Sequence, residues 1–138
     1  MANPFAHIEL STDNLGNAKK FYKKIFDWKL EDMKGMPYTM IGVGTGPGGG
    51  MQPKQMPEQP SAWMPYVQVD NVKKTMAKAA KNGATVILEF QEIGEMGAIG
   101  IFADPSGAAL GLWEEKKKVA KKAAKKAAKP AKKAAKKK

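Results

Sequence analysis

The sequence has 138 residues, enough for about one domain, and its 24 basic residues, all lysine, outweigh 13 acidic ones to give a net charge of +11. Thirteen of the lysines lie in residues 116–138, which hold no acid, so residues 1–115 have a net charge of −2. This balance argues against a nucleic-acid surface on the folded part. The absence of cysteine excludes disulfides, thiolate metal sites and a cysteine nucleophile.

The first half of the chain begins with an alternating segment that predicts a strand, with Phe5, His7 and Glu9 on one face. Asn14 can cap a helix, and apolar residues at helical spacing follow it. A glycine-rich loop then separates short strands. The predicted elements of this half are a strand over 5–11, a helix over 15–26, and strands over 28–33, 38–43 and around 50–52.

The second half repeats this pattern after a proline-rich connection over residues 51–60, which is unsuited to a regular element. The segment Asp70-Asn71-Val72 repeats Asp13-Asn14-Leu15 at an offset of 57 residues. Asn-Gly at 82–83 predicts the end of a helix, and Asp-Pro-Ser-Gly at 104–107 predicts a turn. The predicted elements of this half are a strand over 63–69, a helix from 72 and strands over 85–90, 98–103 and 109–113.

The duplicated strand-helix-strand-strand-strand pattern resembles the vicinal oxygen chelate superfamily, which includes glyoxalase I, extradiol dioxygenases and bleomycin resistance proteins. The helix start in each half and the turn before the last strand carry the resemblance, which covers residues 5 to about 114. It implies an α+β domain over residues 1–115, in which βαβββ modules at about 5–54 and 62–115 form a curved mixed sheet around a cleft. It also implies a homodimer.

The family's metal ligands lie on the first and last strands of each module, according to the resemblance. His7 occupies the first of these positions. The other positions hold Met64, Gly111 and the glycine run at 48–50, none of which suits a hard divalent ion. We therefore expect no family metal and no other cofactor. A divalent ion on His7 and Glu9, or His7 acting alone as a general base, remain as alternatives.

Strand parity also predicts which side chains line the cleft, with aromatic walls and few polar groups as in many small-molecule pockets. His7 and Glu9 are the candidate catalytic residues. Small side chains on the last strand leave room for a ligand there. The predicted ligand-binding residues are Phe5, His7, Glu9, Met64, Tyr66, Gln68, Gly111 and Trp113.

The C-terminal tail, residues 116–138, is a lysine-alanine repeat whose like charges predict disorder. Its composition resembles the tails of linker histones. Counterion release favours binding to nucleic acid, and the absence of arginine argues against base recognition, so any binding is expected to be sequence-independent. The alternatives are an anionic lipid surface or another polyanion, and a solubilising tail with no specific partner. The predicted contacts are Lys116, Lys117, Lys118, Lys121, Lys122, Lys125, Lys126, Lys129, Lys132, Lys133, Lys136, Lys137 and Lys138.

These features predict a domain that binds a small molecule without the family metal and that the tail tethers to nucleic acid. The alternatives are a metal-dependent lyase or dioxygenase of the same superfamily, and a nucleoid-associated protein that uses the domain only for dimerisation. If the protein is an enzyme, a glyoxalase-like lyase or a dioxygenase is expected. No signal peptide is apparent and no run approaches the ~20 apolar residues of a membrane span. We therefore expect a cytoplasmic protein, which its tail could place at the nucleoid.

Overall fold

The computed structural model describes residues 2–116, which form the predicted elements in the predicted order. The lysine-rich segment from residue 117 onward lies outside the described residues. The elements are β1 (Phe5–Thr12), α1 (Leu15–Ile25), β2 (Lys29–Asp32), β3 (Thr39–Gly42), β4 (Gly49–Pro53), β5 (Ala62–Gln68), α2 (Val72–Lys81), β6 (Thr85–Ile93), β7 (Gly97–Ala103) and β8 (Ala109–Glu115).

The described strands form one mixed sheet in the order β2-β3-β4-β1-β5-β8-β7-β6. The four strands of the first repeat therefore occupy one half of the sheet and those of the second repeat the other half. The halves join where β1 and β5 pair antiparallel, while β4 and β8 run parallel to β1 and β5 respectively. This arrangement confirms the predicted α+β fold with a curved mixed sheet.

The strand register divides the sheet into two faces, because directly paired residues share a face. Leu10 of β1 pairs with Met51 of β4 and with Trp63 of β5. Val67 lies on the same face of β5 as Trp63 and pairs with Leu112 of β8. Both helices pack on this side, which we call the helix-bearing face. His7, Glu9 and their partners lie on the opposite side, which we call the cleft face.

Helix α1 packs on the first half of the sheet. The side chain of Asn14 accepts a hydrogen bond from the Asn17 amide at 2.9 Å and so caps the first turn. Partly buried apolar residues of the helix, among them Leu15 and Tyr22, pack against a core that includes Met51, which is fully buried. Since no residue of α1 is fully buried, this helix covers the sheet only in part.

Helix α2 packs on the second half in an equivalent way. Asn71 caps it by accepting from the Lys74 amide at 2.9 Å, and the helix ends at Asn82, before Gly83 with a positive φ of 101°. Val72 and Met76 are almost fully buried against the sheet. The helix starts predicted from the repeat and the turn predicted from Asp-Pro-Ser-Gly at 104–107 are therefore confirmed.

Candidate functional site

The carboxylate of Glu9 lies at the centre of the cleft face, where three neutral side chains donate hydrogen bonds to it. Tyr38 donates to Oε2 at 2.8 Å, and Tyr66 donates to Oε1 at 3.1 Å. The Gln52 amide also donates to Oε1, at 3.2 Å. The donors come from the loop before β3, from β5 and from β4, so the carboxylate links both halves of the sheet.

His7 extends this group through Tyr38. The His7 Nε2 atom lies 2.7 Å from the Tyr38 hydroxyl oxygen. Because the single hydroxyl proton of Tyr38 is directed to Glu9, the proton shared with His7 must come from Nε2. The geometry therefore favours the Nε2–H tautomer, and the chain of donors runs from His7 through Tyr38 to Glu9. We call His7, Glu9, Tyr38, Gln52 and Tyr66 the Glu9 network.

Burial sets the protonation states within the Glu9 network. The pKa of His7 is lowered from 6.5 by desolvation, which the negative charge of Glu9 opposes. Desolvation, together with the charge and hydrogen bonds of Glu9, raises the pKa values of Tyr38 and Tyr66 far above their ordinary value of 10. Both tyrosines thus stay protonated and remain donors to the carboxylate at all physiological pH values.

Two glycines make room for the tyrosine rings. A Cβ atom on Gly111 would overlap the ring of Tyr66, and a Cβ atom on Gly50 would overlap the ring and hydroxyl of Tyr38. Gly111 is paired directly with Tyr66 across β5 and β8. In each repeat, the space that a glycine leaves on the last strand, β4 or β8, is therefore filled by an aromatic side chain. Gly111 does not leave the open room for a ligand that the sequence suggested.

The donor set does not fit the metal that the fold family implies. His7 and Glu9 lie on the same face, but both are engaged by Tyr38. The other expected positions present a thioether at Met64 and no side chain at Gly111, and a thioether is a poor ligand for a hard cation. Within residues 2–116, no group of three or more histidine, cysteine or carboxylate side chains could hold a metal ion.

The structure places the remaining predicted site residues in different surroundings. Met64 pairs with Glu9, and Gln68 pairs with Trp113, so these three lie on the cleft face with the Glu9 network. The indole of Trp113 covers Gly97 of β7. Lys116 is the one predicted tail contact among the described residues; it is exposed, and its amide donates to Met96. The other lysines of the tail lie outside the described residues.

Phe5 does not share the face of His7. A register shift between Phe5 and His7 adds one residue to β1, so Phe5 pairs with Val67 while His7 pairs with Tyr66. Phe5 is 59% exposed and belongs with Val67 on the helix-bearing face. The prediction from simple alternation was wrong here because a bulge shifts the parity of all residues beyond it.

Two members of the Glu9 network, Tyr38 and Gln52, were not predicted from the sequence. Tyr38 precedes β3, a strand not considered for the site, and Gln52 lies on β4, which was considered only for metal ligands. Gly50 carried a usable signal: a glycine inside a strand often marks a place where another group approaches closely. The parity of β3 then places Tyr38 and Met40 on the side of Gly50, with which Met40 is paired.

Comparison with known proteins identifies the fold family. The model of the Glyoxalase/Bleomycin resistance protein/Dioxygenase superfamily matches residues 5–112. The chain belongs to this superfamily. Two curated relatives of this glyoxalase-superfamily protein, named "putative glyoxylase CFP32" in Mycobacterium bovis and Mycobacterium tuberculosis, are each 30% identical over 119 residues. The matches cover 81% of this chain and 46% of each relative, so the chain spans about half the length of these relatives.

Solved structures share this fold at low sequence identity. A hypothetical protein from Bacillus halodurans has a TM-score of 0.63 and 14% identity, covering 86% of this chain and 99% of its own. Methylmalonyl-CoA epimerase from Mycobacterium tuberculosis has a TM-score of 0.61 and 11% identity, covering 83% and 89% respectively. At these identities the likeness concerns the fold alone.

Neither described helix is long and apolar enough to cross a membrane.

Proposed function

We propose that the domain binds a small molecule on its cleft face without the family metal. The observation that carries this proposal is the Glu9 network. The rings of Tyr38 and Tyr66 lie against Gly50 of β4 and Gly111 of β8, and their hydroxyls donate to the carboxylate of Glu9. The polar centre of the cleft is thus organised by neutral donors around one anion, an arrangement that can hold a ligand without an inorganic cation.

The chemistry of Glu9 indicates the class of ligand. A carboxylate has about four acceptor positions, and three hydrogen bonds from the Glu9 network use three of them. Among the described residues, no lysine lies within ion-pair distance of Glu9. Met64 and Trp113 add apolar surface on the same face. These features suit an apolar or aromatic molecule that carries a cationic or hydrogen-bond-donating group.

The second part of the proposal concerns the tail. Thirteen lysines without an acid favour a polyanion, and release of condensed counterions would drive its binding to nucleic acid independently of sequence. In this proposal the tail determines where the protein resides, and the cleft determines what it binds. The cytoplasm, and the nucleoid within it, is the compartment that this activity requires.

A glyoxalase-like lyase is the second candidate function, since both curated relatives are named as glyoxylases and His7 occupies a family ligand position. In this function His7 and Glu9 would hold a divalent ion. The engagement of both side chains by Tyr38 opposes this alternative. A domain that serves only for dimerisation on nucleic acid would bind no ligand at all.

Native mass spectrometry of protein purified without chelators separates these functions. The proposal expects an organic ligand on the wild-type chain, loss of that ligand in the Glu9→Gln variant, and no stoichiometric metal. Exposed Glu58 provides the control, because Glu58→Gln should keep the ligand. Stoichiometric metal, with glyoxalase turnover that His7→Ala abolishes, would establish the lyase instead. A dimer that binds no metabolite in a thermal-shift screen would establish the dimerisation platform.

A further inference from the structure

The two helices concentrate positive charge on one face of a domain whose net charge is negative. Together they hold eight of the eleven lysines of residues 1–115 and no acidic residue. Both pack on the helix-bearing face, and among the acids, which all lie outside the helices, Asp32 and Glu114 contact α1 and α2 respectively. The net charge of −2 therefore conceals a basic surface that composition alone could not reveal.

Most of these lysines are free to meet a polyanion. Lys19 forms an ion pair with Asp32 at 2.8 Å. For the other seven, no ion pair with a carboxylate is found among residues 2–116. All seven are exposed. We call them the lysine face; its members are Lys20, Lys23, Lys24, Lys73, Lys74, Lys78 and Lys81.

Aromatic side chains lie beside the lysines of α1. Phe21 and Phe26 are 55% and 45% exposed, and Trp63 is 38% exposed. Their rings belong to one connected cluster, which we call the aromatic patch, with ring centroids 4.7 to 6.4 Å apart. The members of the aromatic patch are Phe21, Tyr22, Phe26, Trp28 and Trp63. Exposed rings in such number on one side of a domain mark an interaction surface.

Two grooves open on the same face. One, of about 170 Å³, has Trp28, Trp63, Gly48 and Gly49 among its lining residues. The other, of about 280 Å³, lies beside α2, where Lys78 and Asn82 line an otherwise largely apolar groove. A flat ring can stack on an exposed ring of the aromatic patch such as Phe21, and the lysines nearby can neutralise charge on whatever carries that ring.

The tail leaves the domain next to this face. Glu114, near the end of β8, accepts a hydrogen bond from the Val72 amide at the start of α2, at 2.8 Å. The basic tail starts at Lys116, two residues after Glu114, whose side chain contacts the start of the helix that carries Lys73 and Lys74. A polyanion bound by the tail would therefore start close to the lysine face.

From these observations we infer that the helix-bearing face binds single-stranded nucleic acid. The lysine face contacts phosphates, and the aromatic patch and its groove stack unpaired bases. Single strands fit better than a duplex because stacking needs bases that are not already stacked within a helix. This inference extends the proposed contact of the tail with nucleic acid and is independent of the cleft. It adds a selectivity for unpaired bases that a lysine-alanine tail does not have.

The test uses the full chain, so that the tail is present in every variant. Binding of an oligothymidylate of about 16 nucleotides, and of a hairpin duplex of similar length, is measured by fluorescence anisotropy between about 50 and 200 mM salt. The charge variant combines Lys20→Gln, Lys24→Gln, Lys74→Gln and Lys78→Gln. We expect it to reduce the salt slope on the single strand by about 0.7 for each lost contact. Lys34→Gln, in the turn between β2 and β3, should leave the slope unchanged.

The aromatic arm of the test uses Phe21→Ala. Because Phe21 is more than half exposed, the variant should fold normally, which the thermal midpoint checks. We expect roughly tenfold weaker binding to the single strand, with duplex binding and the salt slope unchanged. Met36→Ala is the matched control, since Met36 is 46% exposed but lies in the turn between β2 and β3.

Several outcomes would overturn the inference. Unchanged salt slope in the charge variant would leave the tail as the sole contact with nucleic acid. Equal losses for single strand and duplex in Phe21→Ala would remove the role of stacking. Loss of binding to phosphatidylglycerol vesicles in Phe21→Ala, with oligothymidylate binding intact, would identify the face as a lipid surface. Removal of the tail tests the tether separately, so failure of one proposal does not decide the other.

Discussion

At the scale of single residues, the absence of a Cβ atom decides how the cleft is built. Gly111 lies under the ring of Tyr66, so an added methyl group must displace that ring and its hydroxyl from Glu9. We predict that Gly111→Ala destabilises the protein by about 1–3 kcal/mol, the usual effect of overpacking. Urea denaturation measures the change. Gly16→Ala is the matched control: its Cβ would meet only Asn14 Oδ1, at 3.6 Å, so this variant should be neutral or more stable.

The single histidine gives the stability a defined pH dependence. Burial lowers the pKa of His7 in the folded state below the 6.5 of an unfolded chain, so the unfolded state binds a proton more readily. We therefore predict that the free energy of unfolding falls as the pH drops from about 7.5 through 6.5 toward the folded-state pKa. Urea titrations of the wild type and His7→Gln test this. An identical slope in both proteins across this window would contradict the role of His7.

Strand parity predicted some of the residues on the cleft face and missed others for a physical reason. His7, Glu9, Met64 and Tyr66 alternate along their strands, and the register places them on one face as expected. Their role in ligand binding stays a prediction. Phe5 was misplaced because a bulge is a property of the strand pair and leaves no mark on local alternation. Tyr38 was missed because its position depends on a glycine of another strand.

At the scale of elements, the repeat made the fold readable. An offset of 57 residues relates the two helix starts, and it also relates Glu9 to Tyr66, which hydrogen-bond across the junction of the two halves. Local spacing and caps predicted every helix and strand among the described residues in order, although several ends differ by one to three residues. The pairing of β1 with β5 rests on long-range contacts that periodicity does not contain.

The two equivalent caps provide a prediction at this scale. Asn14 and Asn71 each accept the amide three residues ahead, at 2.9 Å. We predict that Asn14→Ala and Asn71→Ala each reduce the free energy of unfolding by about 1 kcal/mol, because each leaves an amide of the first turn without its partner. Chemical denaturation provides the measurement. The variants Asn14→Ser and Asn71→Ser keep an acceptor oxygen and should retain most of the stability; equal losses in alanine and serine variants would rule out capping as the cause.

At the scale of the whole molecule, charge is distributed in three parts that the net value of +11 combines. The tail carries +13 and the lysine face adds seven exposed lysines. The rest of the chain holds the acids, including Glu9, which forms no ion pair with a lysine among the described residues. The cleft and the lysine face lie on opposite sides of one sheet. A small ligand and a polyanion can therefore be bound at the same time without competing for the same residues.

Removal of residues 117–138 tests the division of labour between tail and domain. This change keeps Lys116, whose amide donates to Met96 at 3.0 Å, so the described contacts of β8 remain intact and the thermal midpoint should hardly change. Each tail lysine that contacts a duplex phosphate contributes about 0.9 to the salt slope. We therefore predict that truncation abolishes most of the salt-sensitive affinity for duplex DNA, measured by anisotropy titrations at several salt concentrations. If single strands also contact the lysine face and the aromatic patch, as we infer, they should lose proportionally less. Equal duplex affinity with and without these residues would refute the tether.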